Sequence, residues 1–123
     1  MNFEDLAWHD AVLLSLSVDR RSRPEQDQVL LKVEWPDGCQ NNLLFGDCYG
    51  LRALLNFGYI GDDSILTAQV TSDDEDLKSL RERWAKLSPL DGVRCYSIET
   101  NTTASSIKIF ARTFEVLAPT STR

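Results

Sequence analysis

His9 is the only histidine among the 123 residues, and it stands beside Asp10. A His–Asp doublet invites comparison with metal-dependent hydrolases. Such sites gather several further histidines and aspartates, and a chain with one histidine cannot supply them. A Ser–His–Asp or Cys–His relay would have to draw on the same His9, yet no GxSxG or similar nucleophile context surrounds any serine or cysteine. His9 and Asp10 are therefore read as anchoring the start of a strand. Asp62-Asp63 and Asp73-Asp74-Glu75-Asp76 offer oxygen ligands for Mg²⁺ or Ca²⁺, but the DxDxDG calcium loop is missing. The second run also sits where acids favour a helix start. Gly46, Gly50, Gly58 and Gly61 form neither GxxxxGK nor GxGxxG, so no phosphate cradle is expected. Cys39, Cys48 and Cys95 are odd in number and lack CxxC spacing, which points to free thiols in a reducing cytoplasm. The reading is a protein with no catalytic residues, no metal site and no cofactor.

The elements that would position these residues follow from periodicity. WHDAVLLSLSVDR, from Trp8 to Arg20, alternates after the doublet, with Leu14, Leu16 and Val18 on one side and Ser15, Ser17 and Asp19 on the other. A period of two marks a half-buried strand, here about Ala11 to Arg20, around which the chain is organised. Asn2 to Trp8 reads as a short helix capped by Asn2. RSRPEQD at 21–27 reads as a loop. Gln28 to Trp35 alternates again, Pro36-Asp37-Gly38 turns, and a third strand runs from about Cys39 to Phe45. The glycine-rich stretch from Gly46 to Ser64 is assigned to a further strand carrying Tyr49, Leu51, Ala53, Leu55 and Phe57. Asp62-Asp63 turns into Ile65–Thr71, rich in β-branched residues. The spacing of Leu77, Leu80, Trp84 and Leu87 predicts an amphipathic helix over 73–87, with Ser72 and Glu75 as a capping box and Ser88-Pro89 as its stop. Val93–Glu99 and Ser105–Val116 form a closing hairpin, and 117–123 is a frayed tail.

The fold class is α+β: one domain, 1–123, holding a mostly antiparallel sheet of six to seven strands with the helix packed on one face. A curled, barrel-like sheet is the alternative. The three tryptophans sit on apolar faces and are assigned to the core.

Net charge is −6, and it is unevenly spread. From Asp37 to Asp76 there are eight acids against one base, Arg52; the rest carries eleven acids and twelve bases. An acidic middle repels phosphate backbones, so nucleic acid is not the expected partner, whereas a basic protein would suit it. No apolar run approaches the roughly 20 residues that span a bilayer. The N-terminus has acids where a signal peptide has bases, so a cytoplasmic location without a membrane partner is expected.

WHDAVLLSLSVDR resembles the opening of small bacterial immunity proteins of polymorphic toxin systems, in which an aromatic-His-Asp segment leads into a strand ending in Asp-Arg. Leu43-Leu44-Phe45-Gly46-Asp47 and the strand ILTAQV after Asp62-Asp63-Ser64 are similar too, and together these pieces cover about half the chain. The resemblance implies a cytoplasmic, non-catalytic protein that neutralises a cognate toxin by occlusion. On that expectation the contact surface comprises Tyr49, Tyr59, Asp62, Asp63, Asp73, Asp74, Glu75 and Asp76, with tyrosines anchoring the centre and carboxylates steering a basic toxin domain. Lysine at 62 and 63 should then slow association far more than it disturbs folding. The alternatives are a homodimer built on a sheet edge and, last, a ligand- or metal-binding enzyme.

Overall fold

Alternation becomes structure most directly in the second strand. The computed structural model describes residues 2–20, 27–87 and 89–117. In β2 (Gln28–Glu34), Val29, Leu31 and Val33 are buried and the residues between them are half-exposed. With β1 (Val12–Asp19), β3 (Gln40–Leu54), β4 (Ile65–Thr71), β5 (Arg94–Thr100) and β6 (Ser106–Leu117), it builds one antiparallel sheet in the order β1-β2-β3-β6-β5-β4. The expected α+β architecture holds, with six strands and a single α-helix, α1 (Glu75–Trp84), among the described residues. Leu117, expected to begin the frayed tail 117–123, is instead the last residue of β6, paired with Asn42. Residues 21–26 of the loop expected at 21–27, Ser88 of the expected helix stop, and 118–123 lie outside the described residues.

Several local expectations are corrected. β1, the strand around which the chain is expected to be organised, lies at an edge of the sheet, and a bulge interrupts its pairing between Leu13 and Ser15. The bulge breaks the period of two, so Leu13 and Leu16 pack on the core while Leu14 is left 42% exposed. The N-terminal helix is only a 3-10 turn, Phe3–Asp5, and Asn2 makes no side-chain cap. The third strand and the first part of the glycine-rich stretch, as far as Leu54, are one strand of fifteen residues, β3, whereas Leu55 and Phe57, expected on a strand, lie in the loop that follows. The first part of β3 pairs with β2, and nearly all of it pairs with β6. Asp47, at φ 51°, and a register shift between Cys48 and Gly50 bend it without ending it. At Gly50 a Cβ would lie 2.9 Å from the Phe110 ring, so glycine here leaves room for that ring against the strand.

The sheet is covered on both faces. On one, the N-terminal segment seats Phe3, Trp8 and Ala11 over Phe45, Tyr96 and Ile98, and the Trp8 indole donates to the Phe3 carbonyl at 2.6 Å. Trp35 packs at the edge of this cluster, ring to ring with Trp8. On the other, Leu77, Leu80 and Trp84 of α1 meet Cys95, Phe110 and Tyr49. α1 starts later than the capping-box reading placed it. Asp74, not Ser72, is the N-cap, its carboxylate accepting from the Leu77 amide at 3.1 Å, and the helix ends at Trp84, leaving Leu87 78% exposed. Asp74 prevails because the same carboxylate also receives Lys108 from β6, tying the helix start to the sheet.

The two edge strands meet at one corner. Val12 bridges Ser64, the Ile65 amide donates to the Ala11 carbonyl at 2.7 Å, and the Asp10 amide donates to the Ile65 carbonyl at 3.4 Å. The sheet curls, but the contact goes no further and no barrel closes.

Candidate functional site

The connection from β3 to β4 cannot be extended strand or helix throughout, because Gly58 (φ 98°) and Gly61 (φ 135°) turn the backbone into the left-handed region. Both feet of this loop are tied to the β5–β6 turn. At the first, the Asn56 amide donates to Ser105 Oγ at 2.9 Å and Asn56 Nδ2 to the Thr103 carbonyl at 2.7 Å. At the second, the Asp63 carboxylate accepts from the amides of Thr102 (3.0 Å) and Thr103 (3.1 Å) and from the Thr103 hydroxyl. Burial works against the charged Asp63, but these bonds outweigh it and hold its carboxyl below the ordinary range. Thr100 and Ser105, both buried, complete the hydroxyl network.

Between these feet the tip turns outward, with Phe57 87%, Tyr59 53% and Ile60 97% exposed, and Leu54 and Leu66 exposed nearby. Single exposed apolar residues are ordinary; three within four positions of one loop on fixed feet are not. No Lys or Arg occurs between Arg52 and Lys78 in the sequence, so the only formal charges along this stretch are negative.

The eight residues named from sequence divide accordingly. Tyr59 and Asp62 are exposed in the loop, while Asp63 is spent on holding it. Tyr49 is no part of this surface. It is half-buried, its ring 5.5 Å from Trp84 and 5.1 Å from the Arg112 guanidinium, which donates to its hydroxyl at 2.8 Å and to Asp47 at 2.9 Å. Arg112 also donates to the carbonyls of Asp91 and Pro89, so this cluster fastens the segment after α1 to the sheet. Burial, then Asp47, push the Tyr49 hydroxyl above its usual pKa, with Arg112 opposing.

The helix-start acids are likewise engaged within the chain. Lys108 Nζ lies 2.9 Å from Asp74 and 3.1 Å from Asp76; Arg52 stands 3.7 Å from Asp76, and Lys78 3.0 Å from Asp73. Glu75 is exposed. The Lys108 ammonium is held well above its usual pKa by Asp74 first and Asp76 second. Asp74, although burial opposes its charge, is held below the carboxylate range by Lys108 and the Leu77 amide. Opposite charges at these distances leave this cluster little net field to offer a partner.

Ile60 is not among the residues named from sequence, and Phe57, assigned there to a strand, is outside the contact set expected there. The signal was present: an aromatic, a tyrosine and an isoleucine punctuated by Gly58 and Gly61 cannot keep a period that buries them. Among the described residues no group of His, Cys, Asp and Glu converges with metal-ligand spacing. His9 is exposed, 3.7 Å from Asp10 at the start of β1. Cys48 and Cys95 are pushed up to about 12 by burial and stay protonated thiols at neutral pH. No helix among the described residues is long and apolar enough to cross a membrane. Comparison with known proteins returns no family model, curated protein or solved structure that matches the chain.

Proposed function

We propose that this chain is a non-catalytic protein-binding module that docks a basic protein and neutralises it by occlusion, in the manner of the immunity proteins its opening stretch resembles. The observation that carries this reading is the loop from Asn56 to Asp63: three large apolar side chains held out on hydrogen-bonded feet, within a stretch whose only charges are acidic. Apolar side chains at the centre give affinity, and the surrounding charge selects and steers the partner. The contact set therefore becomes Phe57, Tyr59, Ile60 and Asp62, with Asp63 as the residue that positions them. The test is capture of partners by the tagged chain from its native cells at low salt, set beside a Tyr59→Ser/Ile60→Ser variant. A basic protein held by the wild type, released by salt and lost from the variant supports the reading. Equal capture by both chains overturns it. Self-association of the purified chain, seen by sedimentation, would favour a homodimer instead.

A further inference from the structure

The sheet stops short of closing, and the seam it leaves has its own chemistry. β4's outer edge is tied near both ends: Asp10 and Ala11 bond Ile65, and Glu4 accepts from the Val70 amide at 3.0 Å. β1's is not. Beyond the bridge from Val12 to Ser64, the outer edge of Ser15–Val18 makes no hydrogen bond among the described residues. Beside it opens a cavity of about 470 Å³. Leu13, Leu14 and Leu16 form one wall, Leu55 and Phe57 the other, and the network around Asp63 closes its end. The bulge that puts Leu14 out of pairing is what lets it form part of this wall. An unpaired strand edge is a template for a further strand, and a groove beside it takes side chains from one face of that strand.

We propose that this seam receives an extended segment of the partner protein, which pairs with β1 and places a large apolar side chain between Leu14 and Leu55. The inference rests on the protein-binding reading above and adds where, and by what kind of segment, the partner enters. The chemistry of the seam selects the segment. Exposed Asp10 and Asp62 flank the bridge and no basic residue lies between 53 and 77, while Lys32 stands across from Ser15 on β2, so the incoming strand carries apolar residues with lysine or arginine directed at the bridged end. A second copy of this chain is disfavoured there, because it would bring those acids against their own kind on a chain of net charge −6.

The test uses the full chain, isotope-labelled, with a short peptide alternating lysine and isoleucine, and a matched peptide with glutamate in place of lysine. Saturable binding of the lysine peptide is expected, with slowed amide exchange across Ser15–Val18 and shifted methyl signals at Leu14 and Leu55. The glutamate peptide should bind at least about tenfold more weakly. Leu14 is partly exposed, so Leu14→Trp, which fills the groove, and Leu14→Ser, which strips its wall, should both fold; each should weaken the lysine peptide at least about tenfold. Binding without protection of the edge, binding indifferent to Leu14, or no binding would overturn the proposal. So would protection of Ser15–Val18 that rises with protein concentration alone, since a second copy would then fill the seam. If a captured partner depends on Tyr59 and Ile60 but ignores Leu14→Trp, the seam fails and the protein-binding reading stands. If nothing is captured through the loop, that reading fails on its own terms.

Discussion

Replacing Asp63 removes the acceptor for two backbone amides and a hydroxyl at once, so Asp63→Ala should destabilise the chain by about 1–3 kcal/mol in chemical denaturation. Asp62, exposed one residue earlier, should be silent in the same experiment. Lysine at both positions, the test suggested by sequence, would therefore confound folding with binding; Asp62→Lys alone is the clean variant. Asp63 and Asp74 also set a pH dependence. Both are held below the ordinary carboxylate range when folded, so their stabilisation is complete above that range and is lost as pH falls through their depressed values. The denaturation midpoint should drop with acid, and Asp63→Asn/Asp74→Asn should flatten that drop. The thiols give a further reading: Cys39 is exposed, whereas Cys48 and Cys95 are buried and pushed up to about 12. A thiol reagent at neutral pH should modify Cys39 rapidly in the native protein and all three only after unfolding.

The elements differ in how tightly each is held. α1 rests on Leu77, Leu80 and Trp84, and Leu77 is fully buried, so Leu77→Ala should cost about 2–5 kcal/mol. Gly50→Ala should cost about 1–3 kcal/mol by denaturation, because the added Cβ meets the Phe110 ring where β3 carries the shift in register. The loop from Asn56 to Asp63 is the opposite case. Its tip side chains lie largely in solvent, so Tyr59→Ser/Ile60→Ser should leave stability within about 0.5 kcal/mol of wild type while removing partner binding. At the β4 edge, the Glu4 carboxylate satisfies the Val70 amide, and Glu4→Ala should speed hydrogen exchange there.

At the scale of the whole molecule, the formal charge of −6 and the cation-free stretch around the loop should act on association more than on stability. The on-rate for a basic partner should fall as ionic strength rises and fall again in Asp62→Lys, with the off-rate changing less; stopped-flow mixing at two salt concentrations checks both. The chain's own patterning was enough to specify the α+β class, most strand positions and the face of α1 that turns inward. Val29, Leu31 and Val33, and Leu77, Leu80 and Trp84, are local signals tied to the period of their own elements, and Ile65 to Thr71 is one carried by β-branched content. What needed the tertiary structure was whatever depends on residues distant in sequence. The strand order made β1 an edge. Lys108, thirty-four positions after Asp74, decided the helix cap and neutralised the acids at its start. Arg112, sixty-three positions after Tyr49, turned that tyrosine from a contact residue into a pillar. The β5–β6 turn converted Asp63 from a surface charge into a foot of the loop. A carboxylate or a tyrosine looks the same along the chain whether it faces solvent or a partner, because its role is set by what the fold brings beside it.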